Sequence, residues 1–464
     1  MDLRKICIAL LALMLAAMVI VPMVSAEDNR STDLSSQSTG QQIIPEVEID
    51  GISGNLQTTG IDKSGSLPIS DSIKSYDLIS MDAKKLKEQL LANQEIPVRL
   101  KGTNYFMVLH EDTFYPSEKT GVYTFSGYLE NSVDGTRVTD SEVHLTLDDS
   151  ALIGKISPDR FTYWYIDLIE TSDISKSSGP TQYVYYSDDV EQKISPMGED
   201  RYVMLPSGES KLINELSKEE LTQYMTDVQN RQKNLAVTRG EADWYNVNIL
   251  VVCDNQMYSR YSNWVLRAQS VVSDANAAMS YDDIRVQLVP TYDASKRFDL
   301  SNNFNAASPL QVFQLYVNNA YLNSKSADIA MYLSGNQFST VIGASYGFDA
   351  GSTLGRHAVM MYEAAAGGGY GANPQERANV FTHEVGHLFD ADHETAPGQT
   401  ELYNRASTYR ISGIDYHTLM YSYVTTDPTY YSSDDIHGTI YHGNSLHNNA
   451  QRLRETKATV AGYY

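Results

Sequence analysis

Cysteine is nearly absent from this chain, with only 2 residues in 464. Cys7 lies in an apolar N-terminal stretch, so Cys253 alone would remain if that stretch is removed as a signal peptide. A single cysteine excludes an internal disulfide, and the fold must then be held by its core, by metal ions, or by both. Because Val251-Val252-Cys253 has the pattern of a buried strand, a reactive role for this thiol has little support.

Clusters of basic residues are also absent. The 35 Lys and Arg residues face 58 Asp and Glu residues, which gives a formal net charge of -23. This balance excludes a general affinity for nucleic acid or for an anionic membrane. Bound calcium would suit an acidic surface, but the sequence has no Asp-x-Asp-x-Asp-Gly loop to place it. A Ca²⁺ site is therefore not supported by any motif.

Long apolar runs are confined to the N-terminus. Two basic residues, the apolar residues 6–24 and the small pair Ser25-Ala26 predict a secretory signal peptide over residues 1–26. The apolar stretch is long enough for an uncleaved membrane anchor, but Pro22 and the small pair favour cleavage. We therefore expect a secreted or cell-surface protein, with no stable membrane insertion after signal cleavage.

Composition divides the rest of the chain into three parts. Residues 27–65 are rich in Ser, Thr, Gln, Gly and Asp, which predicts a flexible leader. Residues 66–239 contain alternating stretches separated by turn residues, which predict a β-rich domain. The capping box Ser217-Lys218-Glu219-Glu220 opens a helix near the end of this part. In residues 240–464 strands and helices alternate, which predicts a largely parallel, twisted sheet covered by helices and an α+β fold class.

The segment His383-Glu384-Val385-Gly386-His387, followed by His393, is the most informative part of the sequence. On a helix, His383 and His387 lie one turn apart on the same face, so both rings can reach one zinc ion. The chain must leave the helix and turn back before His393 can reach the same ion. Glu384 is then placed to take a proton from a zinc-activated water and to pass it to a leaving amine. This pattern predicts a zinc hydrolase.

The helix that carries this motif has clear ends in the sequence. Asn373 fits the N-cap position, Pro374 the first helical position and Glu376 the third, so the capping signals agree in register. Asp390 stands where the chain must leave the helix, in a turn that requires the left-handed conformation.

The histidine pattern resembles the signature of the metzincin zinc peptidases, HExxHxxGxxH followed by a methionine turn. His417-Thr418-Leu419-Met420-Tyr421 resembles that turn, and the resemblance implies that Met420 lies beneath the zinc without binding it. Residues 244–464 are similar to an adamalysin-like or reprolysin-like catalytic domain. The resemblance implies a twisted, mostly parallel sheet with helices and a small C-terminal subdomain.

The same resemblance implies an activity. One catalytic zinc would be held by His383, His387 and His393, with Glu384 as the general base for hydrolysis of peptide bonds in polypeptide substrates. The protein would then be a zinc metalloendopeptidase.

An edge strand for the substrate is a further part of the resemblance. Residues 340–346, which include Gly343, Ala344 and Ser345, are similar to the strand to which such enzymes add an extended peptide. We therefore expect the substrate to pair along these residues.

Three positions depart from the family pattern. Asp390 replaces the family glycine, which strains the turn but removes no ligand. Glu394 follows the third histidine where adamalysins have Asp, so the subfamily stays unassigned. Ser422 lies two residues after Met420, where the astacin-like and serralysin-like branches have a zinc-binding tyrosine. A tyrosine ligand is therefore not expected.

The upstream region raises the question of latency. Residues 142–155 and 163–170 are similar to a reprolysin propeptide, which implies synthesis as a zymogen with the chain's own propeptide as inhibitor. A cysteine switch is excluded, because the prosegment left after signal cleavage has no cysteine. Glu199-Asp200 could supply a carboxylate to the zinc, as in aspartate-switch prosegments, but the sequence favours an exposed turn there. Activation cleavage near Arg239 is a further hypothesis.

A different class of function fits the same motif. A cell-surface binding or scaffold protein could keep the fold and a zinc ion for stability while lacking catalysis. Glu384 argues against this alternative, because a purely structural site has no need of that carboxylate. Such a site would also be expected to have a closed fourth position.

Overall fold

The computed structural model describes most of the chain from residue 47 onwards, within one compact unit, Ile44–Tyr464. The described residues are 47–59, 69–159, 162–169, 182–191, 195–196, 200–205, 207, 209–235, 243–297, 309–335, 342–348, 355–362, 372–394, 405–411, 414–424, 430–433, 436–437, 440–444 and 447–464. The predicted signal peptide and the predicted cleavage point near Arg239 lie outside them.

The upstream part forms an antiparallel sheet of ten strands. These are β1 (Val47–Ile49), β2 (Ser53–Thr59), β3 (Tyr76–Met81), β4 (Ile96–Leu100), β5 (Thr103–Glu111), β6 (Tyr123–Asn131), β7 (Glu142–Leu147), β8 (Leu152–Ser157), β9 (Trp164–Leu168) and β10 (Gln182–Tyr186). They are hydrogen-bonded in the order β1-β4-β5-β6-β7-β8-β9-β10-β3-β2. Two helices join them, α1 (Ala83–Leu91) and α2 (Ser117–Thr120).

Strands β1 and β2 lie within residues 27–65, for which the sequence predicts a flexible leader. That prediction is wrong for residues 47–59. Val47, Ile49 and Ile52 are all buried, and they join an apolar core built mainly by later strands of the same sheet. A segment with few large apolar residues can therefore be ordered, because it completes a core that other strands supply.

A second sheet of seven strands carries the candidate site. Its strands are β12 (Arg201–Met204), β13 (Ser210–Leu212), β14 (Tyr245–Cys253), β15 (Val286–Tyr292), β16 (Ile329–Ser334), β17 (Gly343–Tyr346) and β18 (His357–Met361), in the order β13-β12-β17-β18-β16-β14-β15. Strands β15, β14, β16 and β18 pair in parallel, whereas β17 is antiparallel to β18. The mixed α+β fold is confirmed, and a largely parallel sheet forms its centre.

Helices cover this sheet, and short strands connect them. The helices are α3 (Lys218–Leu235), α4 (Asn255–Arg260), α5 (Trp264–Tyr281), α6 (Pro309–Tyr316), α7 (Asn319–Ser324), α8 (Pro374–Leu388) and α9 (Asn449–Val460). The short strands are β11 (Ser195–Pro196), β19 (Thr408–Ile411), β20 (Ile414–His417), β21 (Tyr423–Val424), β22 (Ile436–His437) and β23 (Ile440–Tyr441). None of the helices in the described part of the chain is long and apolar enough to cross a bilayer.

One predicted helix is divided in two. The sequence predicts a helix from Ser308-Pro309 to about Leu322, but α6 ends at Tyr316 and α7 begins at Asn319. The side chain of Asn318 accepts a hydrogen bond from the backbone N–H of Tyr321 at 3.0 Å. An N-cap at this position starts a new helix, which explains the break.

Helix α5 packs against both sheets, on β15 of the second and β7 of the first. Buried polar contacts join the sheets here. Asp167 of β9 accepts a hydrogen bond from Arg267 of α5 at 3.3 Å and from Arg377 of α8 at 3.0 Å. Gln269 of α5 donates to the hydroxyl of Thr124 in β6 at 2.9 Å. The upstream sheet is thus tied to α5 and α8, two of the helices that lie on the second sheet.

Candidate functional site

Helix α8 carries the first two histidines of the motif. The side chain of Asn373 accepts a hydrogen bond from the backbone N–H of Glu376 at 3.0 Å, and the Glu376 carboxylate accepts one from the Asn373 N–H at 2.8 Å. Pro374 is the first helical residue, as predicted. This reciprocal cap fixes where the helix begins, and therefore which residues face the second sheet.

Three imidazole rings meet at one point. Nε2 of His383 lies 3.0 Å from Nε2 of His393 and 3.1 Å from Nε2 of His387. Nδ1 of His383 donates to the carbonyl of Leu419 at 2.8 Å, and Nδ1 of His387 donates to the carbonyl of Ala391 at 2.9 Å. Because a carbonyl only accepts, Nδ1 of each ring carries a proton, and the neutral form of each ring presents its lone pair at Nε2.

Asp200, just before β12, is fully buried beside the three rings. One carboxylate oxygen lies 3.4 Å from Nε2 of His383, and the other lies 3.3 Å from Nε2 of both His387 and His393. The four ligand atoms are all within 4.8 Å of one another, and neither oxygen of Asp200 has a hydrogen-bond partner in the structure. The interpretation of Glu199-Asp200 as an exposed turn is therefore wrong for Asp200, whereas Glu199 lies outside the described residues.

The strand that follows Asp200 occupies the predicted substrate edge. Strand β12 pairs with β17 in parallel, with Arg201 opposite Ser345 and Tyr202 opposite Tyr346. The backbone N–H of Ser345 donates to the carbonyl of Asp200 at 3.1 Å. Gly343, Ala344 and Ser345 therefore form a strand, as expected, but its outer edge is not open in this chain. Residues 340 and 341 of the predicted edge strand lie outside the described residues.

Comparison with known protein families supports a peptidase. Residues 244–432 match the family model Reprolysin_5, which is described as metallo-peptidase family M12. These residues form a metzincin-like M12 metallopeptidase domain.

The solved structures compared with this chain are only distantly similar to it. A search of curated proteins finds no match. A metalloproteinase-II from Bacteroides fragilis has 13% sequence identity and a TM-score of 0.45, over 76% of this chain and 94% of that chain. A structure of a chaperone-substrate complex has 14% identity and a TM-score of 0.36, over 48% of this chain and 35% of that chain.

The M12 domain has its predicted methionine turn beneath helix α8. Met420 is fully buried, and a Cβ added to Gly386 would lie 2.5 Å from its sulfur and 3.0 Å from the ring of Tyr431. Gly386 therefore permits the close approach of this turn to the helix between the two histidines. The preceding carbonyl, that of Leu419, accepts a hydrogen bond from Nδ1 of His383, so the turn also orients a histidine ring.

Glu384 lies on α8 against strand β17. It is fully buried, and a Cβ added to Gly343 would lie 2.2 Å from one of its carboxylate oxygens. Neither oxygen has a hydrogen-bond partner in the structure. Burial, together with the nearby negative charge of Asp200, raises the pKa of Glu384 well above its usual value. A carboxylate in such surroundings accepts a proton readily.

Asp390 ends the motif helix in the expected left-handed conformation, with φ of 69°. Its carboxylate accepts a hydrogen bond from Nε of Arg452 at 2.8 Å and a second one from the same guanidinium. Both side chains are buried. Aspartate in place of the family glycine is therefore explained by its contact with α9.

The position that holds a tyrosine ligand in other branches has a different role here. The backbone N–H of Ser422 donates to the carboxylate of Glu394 at 2.9 Å, and the Ser422 hydroxyl donates to it as well. Ser422 thus links the methionine turn to the residue that follows the third histidine.

The three histidines of the M12 domain, together with Asp200 from the upstream part, fit a metal ion. Burial lowers the pKa of His393 to about 3, so this ring is also neutral and offers a lone pair. Three lone pairs and one carboxylate that face one another without shared protons need a cation between them. Family M12 implies a zinc cofactor, and three neutral imidazoles suit that ion. His383, His387 and His393 would hold it, with Asp200 as the fourth ligand.

Sequence reasoning weighed Asp200 as a zinc ligand but favoured an exposed turn, and it missed Arg201 as a residue of the site. The local signal for Arg201 was the short apolar run Tyr202-Val203-Met204, which predicts a strand directly after it. That signal does not say which strand it will pair with, because pairing depends on the assembled sheet.

Proposed function

We propose that this chain is a secreted or cell-surface zinc-dependent endopeptidase that is made as a zymogen. Its upstream segment, residues 66–239, would be the propeptide. The convergence of Asp200 on His383, His387 and His393 supports this proposal most directly. Polypeptides would be its substrates, because the site lies beside a strand to which an extended chain is already paired.

Each side chain of the site has a role in the proposed reaction. Zinc, when bound, supplies Lewis acidity that polarises a carbonyl and makes a water easier to deprotonate. Glu384 accepts the proton of the attacking water and returns it to the leaving amine, so that the peptide bond is exchanged for an acid and an amine. The outer edge of β17, at Gly343, Ala344 and Ser345, aligns the extended substrate by backbone hydrogen bonds.

Latency follows from two contacts of the upstream segment. With the ion bound, Asp200 would hold the fourth ligand position, which the attacking water needs. Strand β12 fills the edge of β17, where a substrate would otherwise pair. A substrate would need both places, so the peptidase is inactive until this segment is displaced.

The test compares full-chain variants for cleavage of a denatured protein mixture at neutral pH with added zinc. We expect Asp200→Ala to cleave faster than the unmodified chain, because it frees the fourth ligand position and removes a contact that holds β12 at the edge of β17. In the Asp200→Ala background, Glu384→Gln should lower the rate by about 10² to 10⁴-fold, the usual contribution of a general base. A zinc chelator should abolish the remaining cleavage.

Two controls make the result specific. Asp134→Ala changes an exposed carboxylate of the upstream part and should leave cleavage as in the unmodified chain. Zinc content is measured for every variant, so that lost catalysis is separated from lost metal. Stoichiometric zinc with no cleavage by any variant would favour the scaffold hypothesis instead.

A further inference from the structure

Arg201 is a buried cation beside the candidate metal site. Its side chain is only 2% exposed, whereas an arginine normally keeps its charged end in contact with water. The guanidinium binds the carboxylate of Asp392 and the hydroxyl of Tyr224, and it lies 3.6 Å from a carboxylate oxygen of Asp390. Gly347 forms one wall, since a Cβ there would lie 2.8 Å from Nε of Arg201.

These partners belong to two different parts of the chain. Tyr224 lies on α3, upstream of the M12 domain, in the same proposed propeptide as Arg201 itself. Asp390 and Asp392 lie between the second and third histidines, so they stay with the peptidase domain when the propeptide leaves. Departure of the propeptide would then remove the guanidinium and leave its two carboxylates behind.

Asp392 is fixed in place independently of Arg201. Its backbone N–H donates to the side chain of Asn449 at 3.0 Å, and its carbonyl accepts from the same side chain at 3.2 Å. One carboxylate oxygen accepts the backbone N–H of His393 at 2.9 Å. The other oxygen binds Arg201 and would lose this partner. A buried carboxylate without its counter-charge is costly, so the position favours a new cation over an uncharged side chain.

We propose that Asp392, with Asp390 beside it, forms a subsite of the active peptidase for a lysine or arginine side chain of the substrate. This inference rests on the proposed peptidase function, because it concerns substrates of the same site. In the latent chain Arg201 occupies the subsite as a substrate side chain would. An apolar side chain would leave Asp392 unpaired and is therefore disfavoured.

The position of the basic residue follows from the pairing of β12 with β17. Arg201 directly follows Asp200, which lies at the metal ligands, and it is opposite Ser345. The basic side chain is therefore expected within two residues of the scissile bond. It lies on the side of the site towards Tyr346, the last residue of β17.

The first test maps cleavage by the full chain with Asp200→Ala and Arg201→Ala, which removes the two side chains that fill the metal site and the subsite, so that β12 is more easily displaced from β17. Peptides from a complex mixture are sequenced at their cut ends. We expect lysine and arginine to be enriched at one position next to the cut. A peptide with arginine there should be cleaved with a kcat/KM at least about tenfold above its citrulline counterpart, since hydrogen bonds to a charged group discriminate by that factor or more. Equal cleavage of the two peptides, or an apolar preference, overturns the proposal.

The second test needs no catalysis. The Arg201→Ala full chain is melted with N-acetyl-arginine amide or with the uncharged N-acetyl-citrulline amide. We expect the arginine compound alone to raise the Tm, and Asp392→Asn added to Arg201→Ala should abolish the rise. Equal effects of the two compounds overturn the proposal. If the variants that carry Arg201→Ala do not fold, the cleavage preference of the single variant Asp200→Ala decides, since Arg201 then slows all peptides alike.

The two tests separate this inference from the proposed function. Arginine-specific binding without any cleavage would keep the subsite and reject the peptidase. Cleavage with no basic preference would keep the peptidase and reject the subsite.

Discussion

At the residue scale, Asp390 shows how one side chain can have two opposing effects on stability. Its left-handed backbone costs about 1 to 2 kcal/mol relative to glycine. Its carboxylate pairs with the buried Arg452, and loss of one partner of such a pair costs about 3 to 5 kcal/mol. The second effect is larger.

We therefore predict that Asp390→Gly destabilises the protein, by about 2 kcal/mol after the relief of backbone strain. Urea denaturation of the full chain measures it. Arg452→Met should cost less when added to Asp390→Gly than when made alone, because its counter-charge is then already absent. If the Asp390→Gly variant were more stable than the unmodified chain, backbone strain would be the dominant effect.

Gly343 gives a second prediction at this scale. A methyl group there would come within 2.2 Å of the Glu384 carboxylate, so either the strand or the carboxylate must move. In the Asp200→Ala chain, Gly343→Ala should lower kcat by about tenfold or more, since a misplaced catalytic group loses rate steeply. Gly462→Ala is the matched control, because its nearest atom would be 3.4 Å away. Equal activity of the two variants would contradict the close contact.

At the element scale, strand β18 holds a histidine that must stay neutral. Nε2 of His357 donates to the carbonyl of Val317 at 2.6 Å, and the ring lies edge-on to Phe313. Burial lowers the pKa of His357 from 6.5 to about 4, and the adjacent Arg356 adds to this shift. The folded state therefore binds this proton less readily than the unfolded state does.

The sign of the pH effect follows from that difference. Above pH 6.5 the ring is neutral in both states and contributes no penalty. As the pH falls from 6.5 to about 4, the unfolded state takes up the proton first, which removes up to about 3 kcal/mol of stability. His357→Gln should flatten this part of the curve of unfolding free energy against pH. Parallel curves for the two proteins would show that another group titrates.

The helices and strands also show how much of the structure can be predicted from the sequence. The ends of α8 are predictable because Asn373, Pro374 and Glu376 act on their own backbone neighbours. The burial of Asp200 is not predictable in this way, since its partners lie on α8 and in the turn after it. A local pattern favours an exposed turn, and long-range pairing overrides it. Asn318 is a local signal for the break between α6 and α7, because asparagine favours the N-cap position. The apolar residues on both sides of it nevertheless follow one helical spacing, which predicts a single helix.

At the scale of the whole molecule, the upstream sheet is held to the M12 domain by a buried charge cluster. Asp167 binds both Arg267 and Arg377, and Arg377 lies on the helix that carries the metal ligands. Removal of Asp167 would leave two buried cations without this partner.

We predict that Asp167→Asn lowers the unfolding free energy of the full chain by about 3 kcal/mol or more. It should also speed release of the propeptide from a chain nicked before β14, which gel filtration can follow. Asp134→Asn, an exposed change in the same part, should alter neither quantity. Unchanged release from the Asp167→Asn variant would show that other contacts hold the upstream part to the M12 domain.

The four candidate ligand atoms also have a consequence for the stability of the chain before and after activation. Asp200 is far in the sequence from the three histidines. An ion bound to all four would therefore act as a cross-link that closes a long loop of the unfolded chain. If Cys7 leaves with the predicted signal peptide, the remaining cysteine cannot form an internal disulfide, and this ion would take the place of one. If the chain is a zymogen as proposed, activation would open this cross-link when cleavage of substrates begins. We then expect the active peptidase to unfold sooner than the zymogen.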